Sequence, residues 1–294
     1  MSSGNYYVPA SSKWPILMSL AIFTFMLGFV FLLHDVTSVL MYLGLATVLY
    51  FTFRWFKDVI AESIDGKFKP LESASFKMGM GWFIFSEVTF FATFFGSLYY
   101  VRAFVLPWLG GDGDGALTND FLWSSFVEHW PLISYPAEAT LLGSGGDIFS
   151  APKELVDAWG IPALNTLILL TSGVTITLAH YALLAGKRKE LSLQLGLTVL
   201  LGIIFLGFQV YEYIHAYSLG LTLKSGIYGS LFYMLTGFHG FHVLLGATIL
   251  TFVWIRVQKG HFSADNHFAF SVAAWYWHFV DVVWLGLFVV VYWL

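Results

Sequence analysis

Residues 226–255, GIYGSLFYMLTGFHGFHVLLGATILTFVWI, decide the class of fold. They contain no Asp, Glu, Lys or Arg, and a helix needs about 20 apolar residues to cross a bilayer core that is about 30 Å thick. At about 1.5 Å per residue this helix would exceed that thickness, so it should tilt or project from the lipid. The stretch therefore predicts a transmembrane helix.

The whole chain has the composition of a membrane protein. Charged residues make up 11% of its 294 residues and hydrophobic residues 58%, whereas soluble domains carry about 25% charged residues. Cysteine is absent, which excludes disulfides, iron–sulfur ligation, thiolate copper sites and c-type haem attachment. The sequence shows no basic patch of the kind that binds nucleic acid, so no nucleic-acid partner is expected.

Seven apolar stretches are long enough, or nearly so, to cross a membrane. They are residues 15–33, 36–56, 76–106, 161–185, 191–217, 226–257 and 268–294. Only His34 and Asp35 separate the first two, which predicts a tight helical hairpin. The expected fold is an all-α membrane protein with seven transmembrane helices.

The distribution of basic residues predicts the orientation of these helices. Eleven of the 14 Lys and Arg residues fall in the N-terminal tail and in the second, fourth and sixth loops. The other side holds Arg102, Lys153 and Lys224. Because basic residues stay on the cytoplasmic side, the N-terminus is predicted inside and the C-terminus outside.

We expect three parts along the chain: a two-helix hairpin at 1–60, a cytoplasmic linker at 61–75 and a five-helix bundle at 76–294. The bundle contains a long outer loop at 107–160, which carries eight Asp and Glu residues against Lys153 alone. Such an acidic surface could steer a basic soluble partner. The plainer interpretation is a solvated loop that charge keeps in water.

Ionisable groups at membrane depth cost a few kcal/mol each and are functional candidates by default. They are Glu87, His180, Glu212, His239, His242, His278 and Asp281.

Glu87 has apolar helical neighbours, which are Phe83, Ile84, Phe90 and Phe91. Such a collar disfavours the ionised carboxylate. The functional interpretation is a protonated or proton-exchanging carboxyl, and the structural one is a neutral acid bonded to another helix. The residues alone favour neither.

Three histidines could bind a metal or haem, or could serve only packing. His239 and His242 are three residues apart on one helical face, and His278 lies at a similar depth, so they could bind zinc, or His242 and His278 could ligate a haem. The glycines beside them, Gly237 and Gly240, instead favour close helix packing in which histidine bonds a neighbouring helix. We favour packing and expect no metal.

His278 and Asp281 share a face of the last helix. Asp281 could orient the imidazole, relay a proton or satisfy a buried partner, and the last role is the commonest.

Several motifs closely resemble subunit III of haem–copper cytochrome c oxidases. They are SEVTFF (86–91), LNTLILLTSGVTITLAH (164–180), YEY (211–213), GIYGSLFYMLTGFHGFHV (226–243), HFSADNHFAF (261–270) and AAWYWHFVDVVWL (273–285). The resemblance runs through most of the chain after Trp14 and keeps the family's order and its seven spans.

The resemblance implies a fold of two helices and five helices around a V-shaped, lipid-filled cleft, packed beside subunit I. In that family this subunit holds no redox centre, because haems and copper belong to subunits I and II. It supports proton uptake by subunit I, protects the active site during turnover, and is proposed to guide oxygen through its lipids. The implied enzyme passes electrons from cytochrome c to oxygen.

The resemblance also implies site residues. Glu87 matches the family's membrane-buried carboxyl, and Glu62 matches a cleft residue near bound lipid. Arg256, Lys259 and His261 match its contacts with phospholipid head groups. Glu212, His239, His242, His278 and Asp281 are then structural polar groups within the membrane.

The sequence departs from the family pattern in two places. The long outer loop has no counterpart in the short mitochondrial versions, and residues 90–104 lack the histidine-containing sequence common after SEV. A quinol-oxidase subunit III usually has five spans, so seven favour the cytochrome c enzyme.

We also expect a bacterial source, with the chain in the cytoplasmic (inner) membrane and cytochrome c near the acidic loop. A membrane b-type haem carrier and a proton transporter remain as alternatives.

Overall fold

The structure is a computed structural model that describes residues 11–68, 70–124, 126–132, 152 and 154–294. Within these residues it is helical and contains no strand. The α-helices are α1 (Trp14–Leu33), α2 (Val39–Ile64), α3 (Pro70–Tyr100), α4 (Leu106–Gly110), α5 (Ala116–Leu122), α6 (Ile161–Leu184), α7 (Arg188–Ser218), α8 (Ile227–Gln258) and α9 (Phe268–Leu287). A π-helical turn at Val101–Val105 joins α3 to α4, and another at Phe288–Trp293 extends α9.

Seven helices of the described part are long and apolar enough to cross a membrane, which confirms the predicted number of spans. They are Trp14–Leu33, Val39–Ile64, Leu71–Gly110, Ile161–Leu184, Arg188–Ser218, Ile227–Gln258 and Phe268–Trp293. The orientation of the termini and the lipid-filled cleft stay predictions.

The helices reach further than the apolar stretches do. The second helix continues to Ile64 and the third begins at Pro70, so the predicted linker at 61–75 shrinks to the few residues between them. The first turn is longer than predicted, since five residues, 34–38, separate α1 from α2. A run of apolar residues marks only the part of a helix that lies in the hydrocarbon. The helix itself can continue into the membrane–water interface, because charged side chains there pack their apolar stems and keep their charged ends in water.

The predicted outer loop at 107–160 is not wholly irregular. Its first part forms α4 and α5, and a small apolar cluster beyond the C-terminal end of α3 contains Val101, Leu106 and Phe126. Residues 125, 133–151 and 153 lie outside the described residues, and so do Glu138, Asp147 and Lys153 of the acidic loop.

The chain divides into two compact units, Met1–Gly79 and Met80–Leu294. In the first, α1 and α2 approach closely because two glycines lack side chains. A Cβ at Gly28 would overlap the backbone of Met41, and one at Gly44 would overlap the backbone of Phe25. Small residues allow such backbone contact between membrane helices.

The second unit is built around α9, which is the most buried of the seven spans. Trp277 on α9 is fully buried and lies where Gly202 of α7 and Gly246 of α8 leave room. A Cβ at Gly202 would stand 2.7 Å from the indole, and one at Gly246 2.9 Å. The side chains of α9 therefore fix the positions of its neighbours.

Candidate functional site

Glu87 and His242 form a direct contact inside the second unit. Glu87 lies on α3 and His242 near the middle of α8, and the distance from Glu87 Oε2 to His242 Nε2 is 2.8 Å. The other ring nitrogen, Nδ1, lies 2.7 Å from the carbonyl oxygen of Phe238, one turn earlier on α8. The side chains are 20% and 10% exposed, so most of the contact is withdrawn from solvent.

The two hydrogen bonds fix how many protons the pair holds. A carbonyl oxygen can only accept, so Nδ1 of His242 carries a hydrogen. A neutral imidazole then has a bare Nε2, and Glu87 must be protonated to donate to it. A charged imidazolium would instead donate to a carboxylate. In both forms one proton lies between Glu87 and His242, because without it two lone pairs would face each other at 2.8 Å.

Aromatic rings surround this hydrogen bond. Phe91 meets the His242 ring edge-on at 5.0 Å between centroids, and Phe90 and Tyr276 lie at 6.1 and 6.5 Å. An apolar surrounding strengthens a satisfied hydrogen bond and opposes separated charges. The arrangement can therefore hold one exchangeable proton in a dry part of the bundle.

Glu212 has protein partners of its own. The phenol of Tyr292 donates to its Oε1 at 2.6 Å, and the amide of Gln209 donates to the same atom at 3.1 Å. The other oxygen, Oε2, is buried and has no hydrogen-bond partner among the described residues. This group ties α7 to the π-helical end of α9.

His239 and His242, the two histidines of the FHGFH motif, bond to different helices. His239 donates from Nε2 to the carbonyl of Val280 on α9 at 3.1 Å, and its ring lies against Trp284. The described residues contain no group of three or more His, Cys, Asp or Glu that could hold a metal ion.

Asp281 and His278 lie at the contact between α9 and α6. Asp281 Oδ2 is wedged against Gly173 of α6, where an added Cβ would stand 2.5 Å away. His278 Nδ1 is 3.9 Å from that oxygen, which is too long for a hydrogen bond. His278 Nε2 instead lies 3.3 Å from the hydroxyl of Thr177.

The basic residues predicted to bind lipid gather at the end of α8. Arg256 stacks over Phe262 at 4.6 Å, and its Nε is buried without a partner among the described residues. The pKa of His261, in the loop after α8, is lowered first by burial and then by the positive charges of Arg256 and Lys259. Neither cation forms an ion pair within the described chain. Among the residues that the structure describes, no acidic side chain pairs with this positive charge.

Two other predicted residues lie elsewhere. Glu62 is on α2, in the first compact unit, and is partly buried. His180 is on α6, and its ring lies 5.6 Å from that of His267 at the start of α9.

A comparison with known proteins decides the family. The sequence model of the family described as "Cytochrome c oxidase subunit III" matches residues 4–110 and 145–294 of this chain. The chain belongs to the cytochrome c oxidase subunit III family. The match covers all seven spans and leaves residues 111–144, within the predicted outer loop, unmatched.

Individual relatives in the family are similar over nearly their whole length. Cytochrome c oxidase subunit 3 of Loxodonta africana is 38% identical over 290 residues, which are 98% of this chain and 96% of the relative. The proteins of the same name from Arabidopsis thaliana and Cyprinus carpio are 39% and 37% identical, with the same coverage. These relatives come from a mammal, a plant and a fish, and they give no support to the expected bacterial source.

The sequence marks Glu87 and His242 as ionisable groups at membrane depth, but the two residues were not predicted to pair. His242 was grouped with His239, its neighbour along the helix, and the partner 155 residues away was missed. The signal that could have found it is the shared depth of one acid and one base on apolar helices, because each needs a partner there.

Proposed function

We propose that this chain is the non-redox core subunit III of a proton-pumping cytochrome c oxidase, in which electrons pass from cytochrome c to oxygen. The observation that carries the proposal is the family match over residues 4–110 and 145–294. The relatives are subunits of an oxidoreductase complex, and we assign haem and copper to the partner subunits I and II. We assign to the chain itself two roles, which are proton handling and the binding of phospholipid.

The Glu87–His242 pair supports a part in proton handling. It keeps one proton in a dry part of the bundle, and it needs no rearrangement to pass from the neutral to the charged form. We assign it to supporting proton uptake by subunit I and the durability of the active site during turnover.

The basic residues at the end of α8 support phospholipid binding. Arg256 and Lys259 carry charge that no acidic side chain neutralises within the described residues. The topology prediction puts them on the inner side of the membrane, where anionic phosphates of lipid head groups would meet them. His261 adjoins them, and Glu62 is assigned to a second lipid contact by resemblance.

The haem-carrier alternative conflicts with the hydrogen bonds of His242. Both of its ring nitrogens already contact oxygen atoms of the protein, so neither is available to iron. Guidance of oxygen through a lipid cleft, contact of cytochrome c with the acidic loop, and a bacterial cytoplasmic membrane stay predictions.

Co-purification from native membranes tests the proposal. We expect mass spectrometry to find oxidase subunits I and II with this chain, together with haem in the complex. The isolated chain should contain no stoichiometric iron or copper. Metal held by the isolated chain, or a complex without haem, would contradict the proposal.

A further inference from the structure

A group of polar side chains surrounds Trp284 in the buried core of the second unit. The ring of Trp284 lies 5.1 Å from the ring of His239 on α8 and 5.9 Å from that of Tyr292 beyond α9, measured between centroids. On its α7 side it meets Phe205 edge-on at 4.8 Å. Polar residues of four neighbouring segments therefore converge on one buried indole.

Two further contacts complete this group. The amide of Asn165 on α6 donates to the carbonyl of Phe205 at 3.5 Å. Gln209 lies one turn after Phe205 on α7 and bonds Glu212, which in turn bonds Tyr292. We call the polar side chains around this ring the Trp284 cluster, and its members are Asn165, Gln209, Glu212, His239 and Tyr292.

The Trp284 cluster contains buried acceptor atoms that no donor reaches. Asn165, Gln209, Glu212 and His239 are at most 4% exposed. Among the described residues no hydrogen-bond partner contacts the acceptor atoms Asn165 Oδ1, Gln209 Oε1, Glu212 Oε2 and His239 Nδ1. A buried polar atom without a partner costs about 1–3 kcal/mol, so four in one place call for an outside source of hydrogens.

The hydrogen bond of His239 shows that its Nδ1 is an acceptor. Its Nε2 lies 3.1 Å from the carbonyl oxygen of Val280, which can only accept. Nε2 therefore carries the hydrogen, and Nδ1 of the neutral imidazole carries a lone pair.

The hydrogen bonds of Glu212 show where its own proton belongs. Oε1 already accepts from the Tyr292 hydroxyl at 2.6 Å and from the Gln209 amide at 3.1 Å. Residues 161–185, 191–217, 226–255 and 268–294 contain no Lys or Arg, so these spans bring no such cation to Glu212. A buried carboxyl without a cation keeps its proton, because an isolated charge is costly in an apolar setting. The proton of Glu212 is then on Oε2 and points away from both donors.

The pair of Glu87 and His242 is built differently. Both ring nitrogens of His242 contact oxygen atoms of the protein, and one proton completes the bond to Glu87. That pair is complete by itself. The Trp284 cluster instead holds an acid proton and several lone pairs that the protein leaves unjoined.

We propose that the Trp284 cluster is an internal binding site for water, in which water accepts the proton of Glu212 Oε2 and donates to the lone pairs of Gln209 and His239. A water molecule carries both donors and acceptors, and buried waters make about three hydrogen bonds to groups of this kind. The site goes beyond the proposed function and does not depend on it. It gives the chain a second buried proton, separate from the one between Glu87 and His242.

Infrared spectroscopy of the assembled complex tests the state of Glu212. Glu212→Gln keeps the shape of the side chain, and we expect it to remove a carbonyl-stretch band of a protonated carboxylic acid. In the unsubstituted complex this band should shift in D2O, because internal water exchanges with bulk water. Glu190→Gln is the control, since Glu190 is exposed and pairs with Lys187 at 3.2 Å, and it should remove only carboxylate absorption. Loss of carboxylate absorption alone in Glu212→Gln, or a band that does not shift in D2O, would overturn the proposal.

Hydroxyl-radical labelling tests the water itself, and it uses the unsubstituted chain in its complex. A short X-ray pulse in oxygen-18 water forms radicals at internal waters, and mass spectrometry then measures labelled oxygen on nearby side chains. Trp284 and Trp277 are matched, since both are fully buried on α9 and each indole N–H donates to a hydroxyl at 2.9 Å. Trp277, however, packs against Gly202 and Gly246. We expect severalfold more label on Trp284, and equal labelling of the two would refute the water site.

The water site and the oxidase assignment fail separately. Equal labelling in a complex that contains haem and the other oxidase subunits would refute only the water site. Preferential labelling of Trp284 in a complex without haem would refute only the oxidase assignment.

Discussion

At the scale of the residue, the hydrogen bond between Glu87 and His242 is the feature that most constrains chemistry. One proton bridges the two side chains in either charge form. The bond between Nδ1 and Phe238 holds the imidazole in place, so only the position of the bridging proton can vary. Substitutions that keep a hydrogen-bond donor at position 87 should therefore preserve the stability of the protein far better than substitutions that remove the donor.

We predict that Glu87→Gln leaves assembly largely intact. The glutamine amide can still donate to Nε2 of His242, but it cannot release a proton. Proton uptake or durability during turnover should change modestly, as oxygen consumption and turnover-dependent inactivation would show. Complete loss of oxygen reduction in a fully assembled complex would contradict this, because it would imply direct catalysis. Glu87→Leu serves as the contrast, since it leaves Nε2 without a partner and should cost about 1–3 kcal/mol of stability.

We predict that the pKa of His261 depends on the charges beside it. The ordinary pKa of histidine is 6.5, and the pKa of His261 is lower than this in the folded chain. The unfolded chain therefore binds more protons than the folded chain once pH falls below about 6.5, and the free energy of unfolding decreases as pH falls further. Arg256→Ala with Lys259→Ala should raise the pKa of His261, and so should anionic phospholipid. Histidine-selective NMR titration measures it. Lys187→Ala is the control, because Lys187 pairs with Glu190, and an equal rise there would refute the assignment.

The pairing of side chains was the least predictable level of this structure. The sequence predicted seven spans, since an apolar run has one stable form in lipid. It singled out Glu87, His242, His278 and Asp281 because charge is costly at that depth. It could not say which of them meet, because partner choice depends on helix rotation. Rotation here is set by contacts such as Gly173 with Asp281, which no periodicity reveals.

At the scale of the element, α6 and α9 are joined by tryptophan side chains that donate to hydroxyl groups. Trp277 donates to Ser172 and Trp284 donates to Thr166, both at 2.9 Å. Each bond satisfies an indole N–H that would otherwise have no partner in an apolar setting. These two contacts fix both the rotation and the height of α9 against α6.

We predict that Trp277→Phe destabilises the bundle by about 3 kcal/mol or more, because it leaves the Ser172 hydroxyl unsatisfied on one side and opens a void between two glycines. Trp275→Phe on the same helix is the matched control, since Trp275 is 42% exposed. Unfolding of the purified complex in increasing SDS measures both. Equal midpoints for the two variants would show that the buried bond contributes little.

At the scale of the whole molecule, the positive charge at the end of α8 should govern which lipids stay bound. Arg256→Ala with Lys259→Ala is predicted to reduce the phospholipid that co-purifies with the complex, as phosphorus analysis and mass spectrometry would measure. Lys187→Ala with Lys189→Ala removes two charges at the start of α7 and controls for net charge. Unchanged lipid in the first variant, or an equal loss in the second, would remove the proposed role.

The bridged pair of Glu87 and His242 also has an electrical consequence. Its net charge is zero in both forms, and the membrane potential acts on a group in proportion to charge and displacement. A full charge that crosses the bilayer exchanges about 2.3 kcal/mol per 100 mV. A proton that shifts between atoms 2.8 Å apart traverses less than about a tenth of the roughly 30 Å core. The division of this proton between Glu87 and His242 is therefore nearly independent of voltage, so a change in membrane potential does not by itself convert the neutral pair into the ion pair.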